Sequence, residues 1–320
     1  MIYQLARILL FSIIIGTSIV SAQDDVRTPT GRREITPEQI KNRDFDRRRK
    51  EMDRVSNLPR ENPNRKKRKT MSKAERRRFK QATTPLREDV EKYRTFLKSK
   101  NTGIFRMLPN FDCESERLIK VDGKCANFVP GTWSYSFRQG DFSNRDFHDV
   151  GVIGDVFVSR SLLNQGILVS LGDLAIQDTV VSSPGMSFLA EFSPAIDREG
   201  ARRQLAEIGG GIEQDGYLYA NQAKLVSSRT YGIRVVAYRM NDRWSSRLWP
   251  KNENQITKDE LKFRGLEFDK RIDALFVFRV IRIDENGGIT IVWKRLEKTK
   301  SPKLVFEENE KLEDFGSIRG

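Results

Sequence analysis

The sequence predicts a mostly β protein, an antiparallel β-sandwich or barrel-like domain with a few short helices, preceded by a helical or disordered basic arm. From residue 131 onward, apolar and polar residues alternate with a period of two, as in Trp133, Tyr135 and Phe137. Many short runs of this kind are separated by Gly, Pro, Asn, Asp or Ser. The formal net charge of +14 comes almost entirely from residues 23–100, with 26 basic and 13 acidic residues, since residues 101–320 hold 31 of each.

Residues 1–22 have the pattern of a secretory signal peptide. Arg7 precedes the nearly continuous apolar run Ile8–Ile15, and Val20-Ser21-Ala22 supplies compact residues for cleavage after Ala22. The apolar stretch is about 15 residues, shorter than the roughly 20 of a membrane-spanning helix. We therefore predict a secreted or periplasmic protein with no transmembrane span after signal cleavage. An uncleaved signal anchor is the alternative.

Residues 23–83 form the predicted basic arm, which is largely disordered because it has few large apolar residues. Ser72-Lys73-Ala74-Glu75 is a capping box and predicts a short helix within it. The candidate anion-binding residues are Arg65, Lys66, Lys67, Arg68, Lys69, Arg76, Arg77 and Arg78. Outside the cytoplasm such residues favour an anionic envelope surface or polymer as partner. A solvated linker is the alternative, and nucleic acid is disfavoured because aromatic residues are scarce in the arm.

A docking helix is predicted to open the folded domain, which we place at residues 84–306. Thr84 is its expected N-cap, with Pro85 in the first position. An apolar stripe at helical spacing follows, formed by Leu86, Val90, Tyr93 and Leu97. Residues 307–320 are acidic and poorly patterned, which predicts a loose tail.

The strands of the domain are predicted from short apolar runs, and two helices are expected to interrupt them. The predicted strands are Val150–Ser159, Gly166–Leu171, Leu174–Val181, Ser187–Phe192, Gly216–Ala220, Ala223–Ser227, Tyr231–Arg239, Ile272–Ile283, Ile289–Trp293 and Lys303–Phe306. Asp284–Gly288 predicts a hairpin loop. One helix is expected to begin after Asp197 and to end at Gly209-Gly210-Gly211, and a capping box at Thr257 predicts the other.

The two cysteines, Cys113 and Cys125, are separated by 11 residues that include the turn dipeptide Asp122-Gly123. In an oxidising compartment this spacing predicts a disulfide that closes a short loop. A redox pair is the alternative, although the spacing differs from Cys-x-x-Cys. Two cysteines are also too few for a Cys-ligated structural zinc site.

No catalytic, cofactor or metal site is predicted. His148 is the only histidine, so a Ser-His-Asp triad would need it, yet no Gly-x-Ser-x-Gly motif supplies the nucleophile. We expect His148 in a surface turn. Gly209-Gly210-Gly211 lacks the Lys-Ser/Thr of a phosphate loop and is expected to end a helix. An oxygen-rich stretch lacks the spacing of a calcium loop, and its members are Asp141, Asn144, Asp146 and Asp149.

Gly131-Thr132-Trp133 resembles the Gly-x-Trp of lipocalin-like barrels over three residues. The resemblance implies a closed barrel around an apolar ligand. The helices expected near residues 197 and 257 depart from the regular up-and-down strands of that family.

These observations favour a secreted, non-enzymatic, β-rich binding or envelope-associated protein with a polybasic tether. The alternatives are a secreted hydrolase or carbohydrate-active enzyme that uses carboxylates, and a small-ligand-binding β-barrel. No feature of the sequence sets an oligomeric state.

Overall fold

The structure, a computed structural model, describes residues 71–114, 119–120, 122–143, 146–240, 263 and 265–306. The helices are α1 (Lys73–Thr83), α2 (Arg87–Lys92), α3 (Arg94–Leu97), α4 (Ser187–Glu191) and α5 (Arg198–Gly210). The strands are β1 (Thr102–Met107), β2 (Ser134–Ser136), β3 (Asp141–Phe142), β4 (Val150–Ile153), β5 (Val156–Val158), β6 (Arg160–Ser161), β7 (Asn164–Gly172), β8 (Ile212–Gln214), β9 (Tyr217–Ala220), β10 (Gln222–Lys224), β11 (Thr230–Ala237), β12 (Arg239–Met240), β13 (Ile272–Ile283), β14 (Ile289–Lys300) and β15 (Lys303–Leu304).

Two antiparallel sheets make up the fold. The larger has eight strands in the order β1-β14-β13-β11-β7-β9-β8, with β6 paired to β7. The smaller has five strands in the order β10-β5-β4-β2-β3, and β12 and β15 form a separate parallel pair. The predicted mostly β, antiparallel fold is confirmed. The described strands form two open sheets and no closed barrel, so the architecture is sandwich-like and differs from the barrel that the Gly-x-Trp resemblance implies.

The larger sheet is covered on both faces, as alternate residues of β13 demonstrate. Phe276 and Phe278 belong to the apolar core that also contains Phe137 and Phe157 of the smaller-sheet region. Leu275 and Val277 belong to the core on the opposite face, which includes side chains from α4 and α5. This two-sided burial explains why β13 is a nearly continuous apolar run and does not alternate with polar residues.

Aromatic rings fill the space between the two sheets. Phe105 of β1 stacks on Tyr135 of β2 with ring centroids 3.7 Å apart. Phe137 lies 5.3 Å from Phe276 and 5.5 Å from Phe278. Because each large aromatic side chain removes 150–250 Å² from water, these rings account for much of the burial that holds the sheets together.

The predicted disulfide between Cys113 and Cys125 is confirmed, and both residues are buried. Glu114, beside the first cysteine, accepts hydrogen bonds from the backbone N–H of Gly131 at 2.9 Å and from Nε1 of Trp133 at 3.0 Å. The carboxylate therefore fixes the cross-linked loop to the start of the smaller sheet.

Two predicted strands are wrong, and the single strand predicted over Val150–Ser159 is a hairpin of β4 and β5. Ser187–Phe192 contains the helix α4, in which Leu189 is buried against the larger sheet and the N–H of Phe192 donates to the carbonyl of Phe188. Leu174–Val181 forms turns, although Leu174 and Val181 pack on the same core. Both segments are apolar because they cover the outer face of the sheet, and short apolar runs do not distinguish strands from covering segments.

The predicted docking helix is divided and begins later than expected. Thr84 closes α1, because its N–H and its hydroxyl both donate to the carbonyl of Lys80, and Leu86 occupies the N-cap of α2. Tyr93 departs from helical geometry between α2 and α3 and is buried against the larger sheet. Tyr93 and Leu97 of the apolar stripe pack on the core, whereas Val90 is half-buried and Leu86 is exposed.

The other helix signals that fall on described residues are confirmed. Asp197 accepts a hydrogen bond from the N–H of Gly200 at the start of α5, and Gly211 ends that helix with a φ of 89°. The expected signal peptide, the arm as far as residue 70, the Thr257 helix and the acidic tail lie outside the described residues. Strand β1 was not predicted.

Candidate anion-binding surface

Helix α1 owes its start to local hydrogen bonds. Ser72 Oγ accepts from the N–H of Glu75 at 3.2 Å, and Glu75 Oε2 accepts from the N–H of Ser72 at 2.7 Å. This is the predicted capping box, in which two amide donors of the first turn are satisfied reciprocally. None of the residues of α1 is buried, so capping and a small contact face hold this polar helix in place.

The basic residues of α1 crowd together on its exposed side. Four of them recur at i, i+3, i+4 and i+7 and therefore share one helix face. These are Lys73, Arg76, Arg77 and Lys80, whereas Arg78 is exposed on the flank of the helix, about 100° from Arg77. All five side chains are exposed, and Arg76 Nε donates to the carbonyl of Met71 at 3.1 Å. We call these five residues the helical cluster.

The opposite side of α1 contacts the sandwich at the edges of both sheets. The ring of Phe79 meets that of Phe142 edge-on, with centroids 5.3 Å apart, and Phe142 lies in the edge strand β3 of the smaller sheet. The carbonyl of Ala82 accepts a hydrogen bond of 2.6 Å from Nη1 of Arg106, which lies in the edge strand β1 of the larger sheet. Helix α1 therefore bridges the two edges on one side of the sandwich.

Arg106 also binds the hairpin between β13 and β14. Its Nε donates to Asp284 at 2.8 Å, and its Nη2 donates to Asn286 at 2.9 Å. Gly288 is needed beside this side chain, because a Cβ there would lie 2.0 Å from Nη2 of Arg106. One buried guanidinium thus joins α1, β1 and the hairpin.

The four acidic side chains of the N-terminal helices each have a partner within the protein. Glu75 belongs to the capping box, and Glu91 lies 3.7 Å from Arg94. Arg282 of β13 donates to both oxygens of Asp89, at 2.9 and 3.0 Å, and also pairs with Glu88. The hydrogen bonds to Asp89 raise the pKa of Arg282. Glu88, Asp89 and Glu91 are therefore paired with arginines of the protein, whereas the cations of α1 face solvent.

The structure brings together three of the eight predicted anion-binding residues. Arg76, Arg77 and Arg78 lie in one turn of α1, whereas positions 65–69 lie outside the described residues. Sequence reasoning missed Lys73 and Lys80 as members of the same face. Their spacing from Arg76 and Arg77 is the signal that would have identified them.

A second concentration of charge is buried at one end of the sandwich. Arg138 Nε donates to Asp149 at 2.5 Å, and Arg138 Nη1 donates to Asp269 at 2.8 Å. Arg271 Nη1 donates to the same Asp269 oxygen at 2.7 Å, and its Nε donates to the carbonyl of Tyr238 at 2.8 Å. We call Arg138, Asp149, Asp269 and Arg271 the buried network. It joins the segments that follow β2 and β11 to the segments that precede β4 and β13.

The charges of the buried network balance one another. Complete burial raises the pKa of Asp149, although Arg138 opposes this effect. Burial also acts to raise the pKa of Asp269, but two neighbouring guanidinium groups outweigh it and lower the pKa. Burial and the nearby Arg138 lower the pKa of Arg271 to about 10. Two cations and two anions therefore satisfy each other away from solvent, which is a structural arrangement.

His148 is not in a surface turn as predicted. Its side chain is only 3% exposed, and its ring centroid lies 5.5 Å from that of Trp133. The residue directly follows Phe147 and precedes Asp149, two residues that contact Arg138. The side chain of His148 is buried because the residue lies beside the buried network.

Two open depressions flank the attachment of α1. One is lined by residues 282–286 of the hairpin, and the other by Leu86, Arg87, Glu88 and Glu91. Within the described ranges, no group of three or more His, Cys, Asp or Glu side chains is arranged to hold a metal ion. The helices in the same ranges include none that is both long and apolar enough to cross a membrane.

The helical cluster is thus an exposed cationic surface fixed to a sandwich whose charged interior is self-compensated. Comparison of the chain with protein-family models, with curated proteins and with solved structures found no match.

Proposed function

We propose that this protein is a secreted, non-enzymatic β-sandwich that binds an anionic envelope surface through its N-terminal basic segment, with α1 as the part of that segment fixed to the domain. The observation that carries the proposal is the helical cluster, whose five cations are exposed while the acids of the N-terminal helices have partners within the protein. Anchoring by Phe79 and Arg106 fixes the direction in which these cations point.

The expected strength of this interaction is substantial. Each Lys or Arg near an anionic surface contributes about 1 kcal/mol, so five contribute about 5 kcal/mol. That free energy corresponds to a factor of roughly 10³ to 10⁴ in affinity. Because exposed charges are screened within about 10 Å at 0.1 M salt, binding should weaken steeply as salt is added.

Two further observations bear on the alternatives. The disulfide supports export, because such bonds persist in oxidising compartments. The buried carboxylates Asp149 and Asp269 accept hydrogen bonds from arginines, so this pair gives no support to a carboxylate hydrolase. The exposed arginines of α1 therefore remain the better guide to function.

Salt-dependent retention on anionic surfaces tests the proposal. The helical variant carries Arg76→Gln, Arg77→Gln and Arg78→Gln. The matched control variant removes three exposed cations elsewhere, through Arg202→Gln, Arg203→Gln and Lys224→Gln. We expect the helical variant to bind anionic vesicles or anionic polymers at least about tenfold more weakly than the wild type. The control variant should stay within about twofold of the wild type, and equal loss in both variants, or no loss in the helical variant, contradicts the proposal.

A further inference from the structure

A second group of cations lies on the sandwich itself, along the edge of the larger sheet. The pairing of β1 with β14 ends at Thr102 and Lys294. Beyond that point β14 continues to Lys300 and, among the described strands, pairs only with β13. The segment Arg295–Lys300 is therefore a sheet edge.

The register of β14 separates three of its four cations from its one acid. Arg295 is opposite Phe276, Lys298 is opposite Ala274, and Lys300 is opposite Ile272. Directly opposed residues of an antiparallel pair point to the same side of the sheet. The three cations therefore share the side of Phe276, Ala274 and Ile272.

Glu297 is opposite Leu275, which belongs to the core on the other face of the sheet. Its carboxylate thus points away from the three cations. A bulge between Leu275 and Phe276 makes this possible, since it shifts the register by one residue between Arg295 and Glu297.

The turn before β1 adds two more cations at the same place. Lys98 and Lys100 are exposed, and the carbonyl of Asn101 accepts a hydrogen bond of 2.8 Å from the N–H of Arg295. We call Lys98, Lys100, Arg295, Lys298 and Lys300 the edge cluster. It lies at the Thr102 end of β1, whereas α1 contacts Arg106 near the other end. Six residues of strand span about 20 Å, so β1 lies between two cationic clusters.

Exposed apolar side chains accompany the cations of the N-terminal helices. Met71, before α1, is 44% exposed, and Leu86, before α2, is 42% exposed. A lipid interface accepts basic side chains at its head groups and apolar side chains at the acyl boundary. A linear polyanion would bind only the charged side chains and would leave Met71 and Leu86 in water.

We propose that the helical and edge clusters contact the same anionic phospholipid bilayer, so that the sandwich lies with β1 and the β14 edge toward the membrane. This inference rests on the proposed function and adds to it the identity of the surface and the orientation of the domain. The phosphate groups of the lipid heads accept hydrogen bonds from both clusters, and Met71 and Leu86 enter the interface.

Vesicle sedimentation with the chain from residue 23 onward, without the predicted signal peptide, tests the edge cluster. The vesicles contain phosphatidylglycerol and phosphatidylcholine, with phosphatidylcholine alone as the neutral reference. The edge variant carries Lys98→Gln, Lys100→Gln, Lys298→Gln and Lys300→Gln. We expect it to bind the anionic vesicles at least about tenfold more weakly than the wild type, with unchanged melting temperature.

The outcomes separate the two proposals. If the helical variant loses affinity and the edge variant does not, the domain orientation is wrong and the tether stands. If the helical variant keeps its affinity, the tether itself is wrong. Lysines on an exposed strand edge also prevent edge-to-edge association, so an edge variant that self-associates but binds vesicles normally overturns the inference.

A single apolar substitution tests the choice of lipid over polymer. Leu86→Gln should weaken binding to the anionic vesicles several-fold and leave retention on a sulfated polysaccharide resin unchanged. An equal effect on both supports, or retention on the resin without any vesicle binding, overturns the lipid assignment.

Discussion

Arginines occupy two opposite environments in this molecule. Arg138 and Arg271 are buried at one end of the sandwich, where Asp149 and Asp269 compensate their charges. The arginines of α1 are exposed on a helix whose only acid belongs to its capping box. The same side chain is satisfied by protein groups where it is buried, and it is left available to an outside partner where it is exposed.

This division has a measurable consequence. Removing one member of the buried network leaves a charge uncompensated away from water, which is costly to stability. Removing a cation from α1 leaves nothing unsatisfied, because it faces solvent. The following substitutions test whether changes in the buried network lower stability and changes in α1 leave it unaffected.

The largest effect is expected for Arg138→Met. The change leaves Asp149 and Asp269 without their shared cation, and breaking a buried pair in this way costs about 3–5 kcal/mol. Urea unfolding should report this loss in the free energy of unfolding. Arg77→Met, the matched exposed change, should stay within about 0.5 kcal/mol of the wild type. Similar losses in the two variants would remove the distinction between the two environments.

The disulfide provides the next largest effect. Replacing both cysteines, Cys113→Ser and Cys125→Ser, frees a loop of the sandwich and should lower the free energy of unfolding by about 3 kcal/mol in the chain-entropy model. Vesicle binding of the folded variant should not change, since neither cysteine belongs to a cationic cluster. An unchanged melting temperature would show that the cross-link adds nothing to the sandwich.

Gly288→Ala tests the attachment of α1 to the sandwich. The new methyl group would collide with the guanidinium of Arg106 and displace it from Ala82 and Asn286, at a cost of about 1–2 kcal/mol. Trypsin should then cleave at the arginines of α1 several times faster than in the wild type. Gly210→Ala is the control, because a Cβ there has no neighbour within 4 Å. If both variants are cleaved at the wild-type rate, Arg106 does not hold α1.

The smallest effect concerns alkaline pH. Burial, together with Asp141 and Asp149, raises the pKa of Tyr135 well above its usual value. The unfolded tyrosine ionises near pH 10, so stability present below that pH is lost as the pH rises further, by about 1 kcal/mol between pH 10 and 11 for one tyrosine. Tyr135→Phe should reduce this slope in thermal unfolding. An unchanged slope would assign the alkaline loss to other groups.

The sequence predicted those parts of the structure that depend on neighbouring residues. The capping box at Ser72, the cap at Asp197 and the helix end at Gly211 require only a few adjacent positions, and all three were predicted correctly. The long apolar strand β13 was also evident from its composition. A local sequence pattern is sufficient to predict a helix end when the hydrogen-bond partner of the unpaired backbone group lies within about four residues.

The parts that the sequence could not predict depend on distant partners. Arg138 and Asp269 are 131 residues apart, and nothing in either neighbourhood indicates that they pair. The edge cluster likewise needs the β13–β14 register, including its bulge, before Lys298 and Glu297 can be assigned to opposite faces. Of the ten residues in the two cationic clusters, only Arg76, Arg77 and Arg78 were predicted from the run of arginines.

Helix α1 also determines how the molecule bears mechanical load. If the N-terminal segment holds the protein to a surface, tension enters the chain at α1 and reaches Phe79 and the Ala82–Arg106 hydrogen bond before it reaches the hydrogen bonds of β1 with β14. These few contacts would yield first under a pull on the arm. Helix α1 would then detach and extend before the sandwich unfolds, and its extension would absorb the work done by the pulling force.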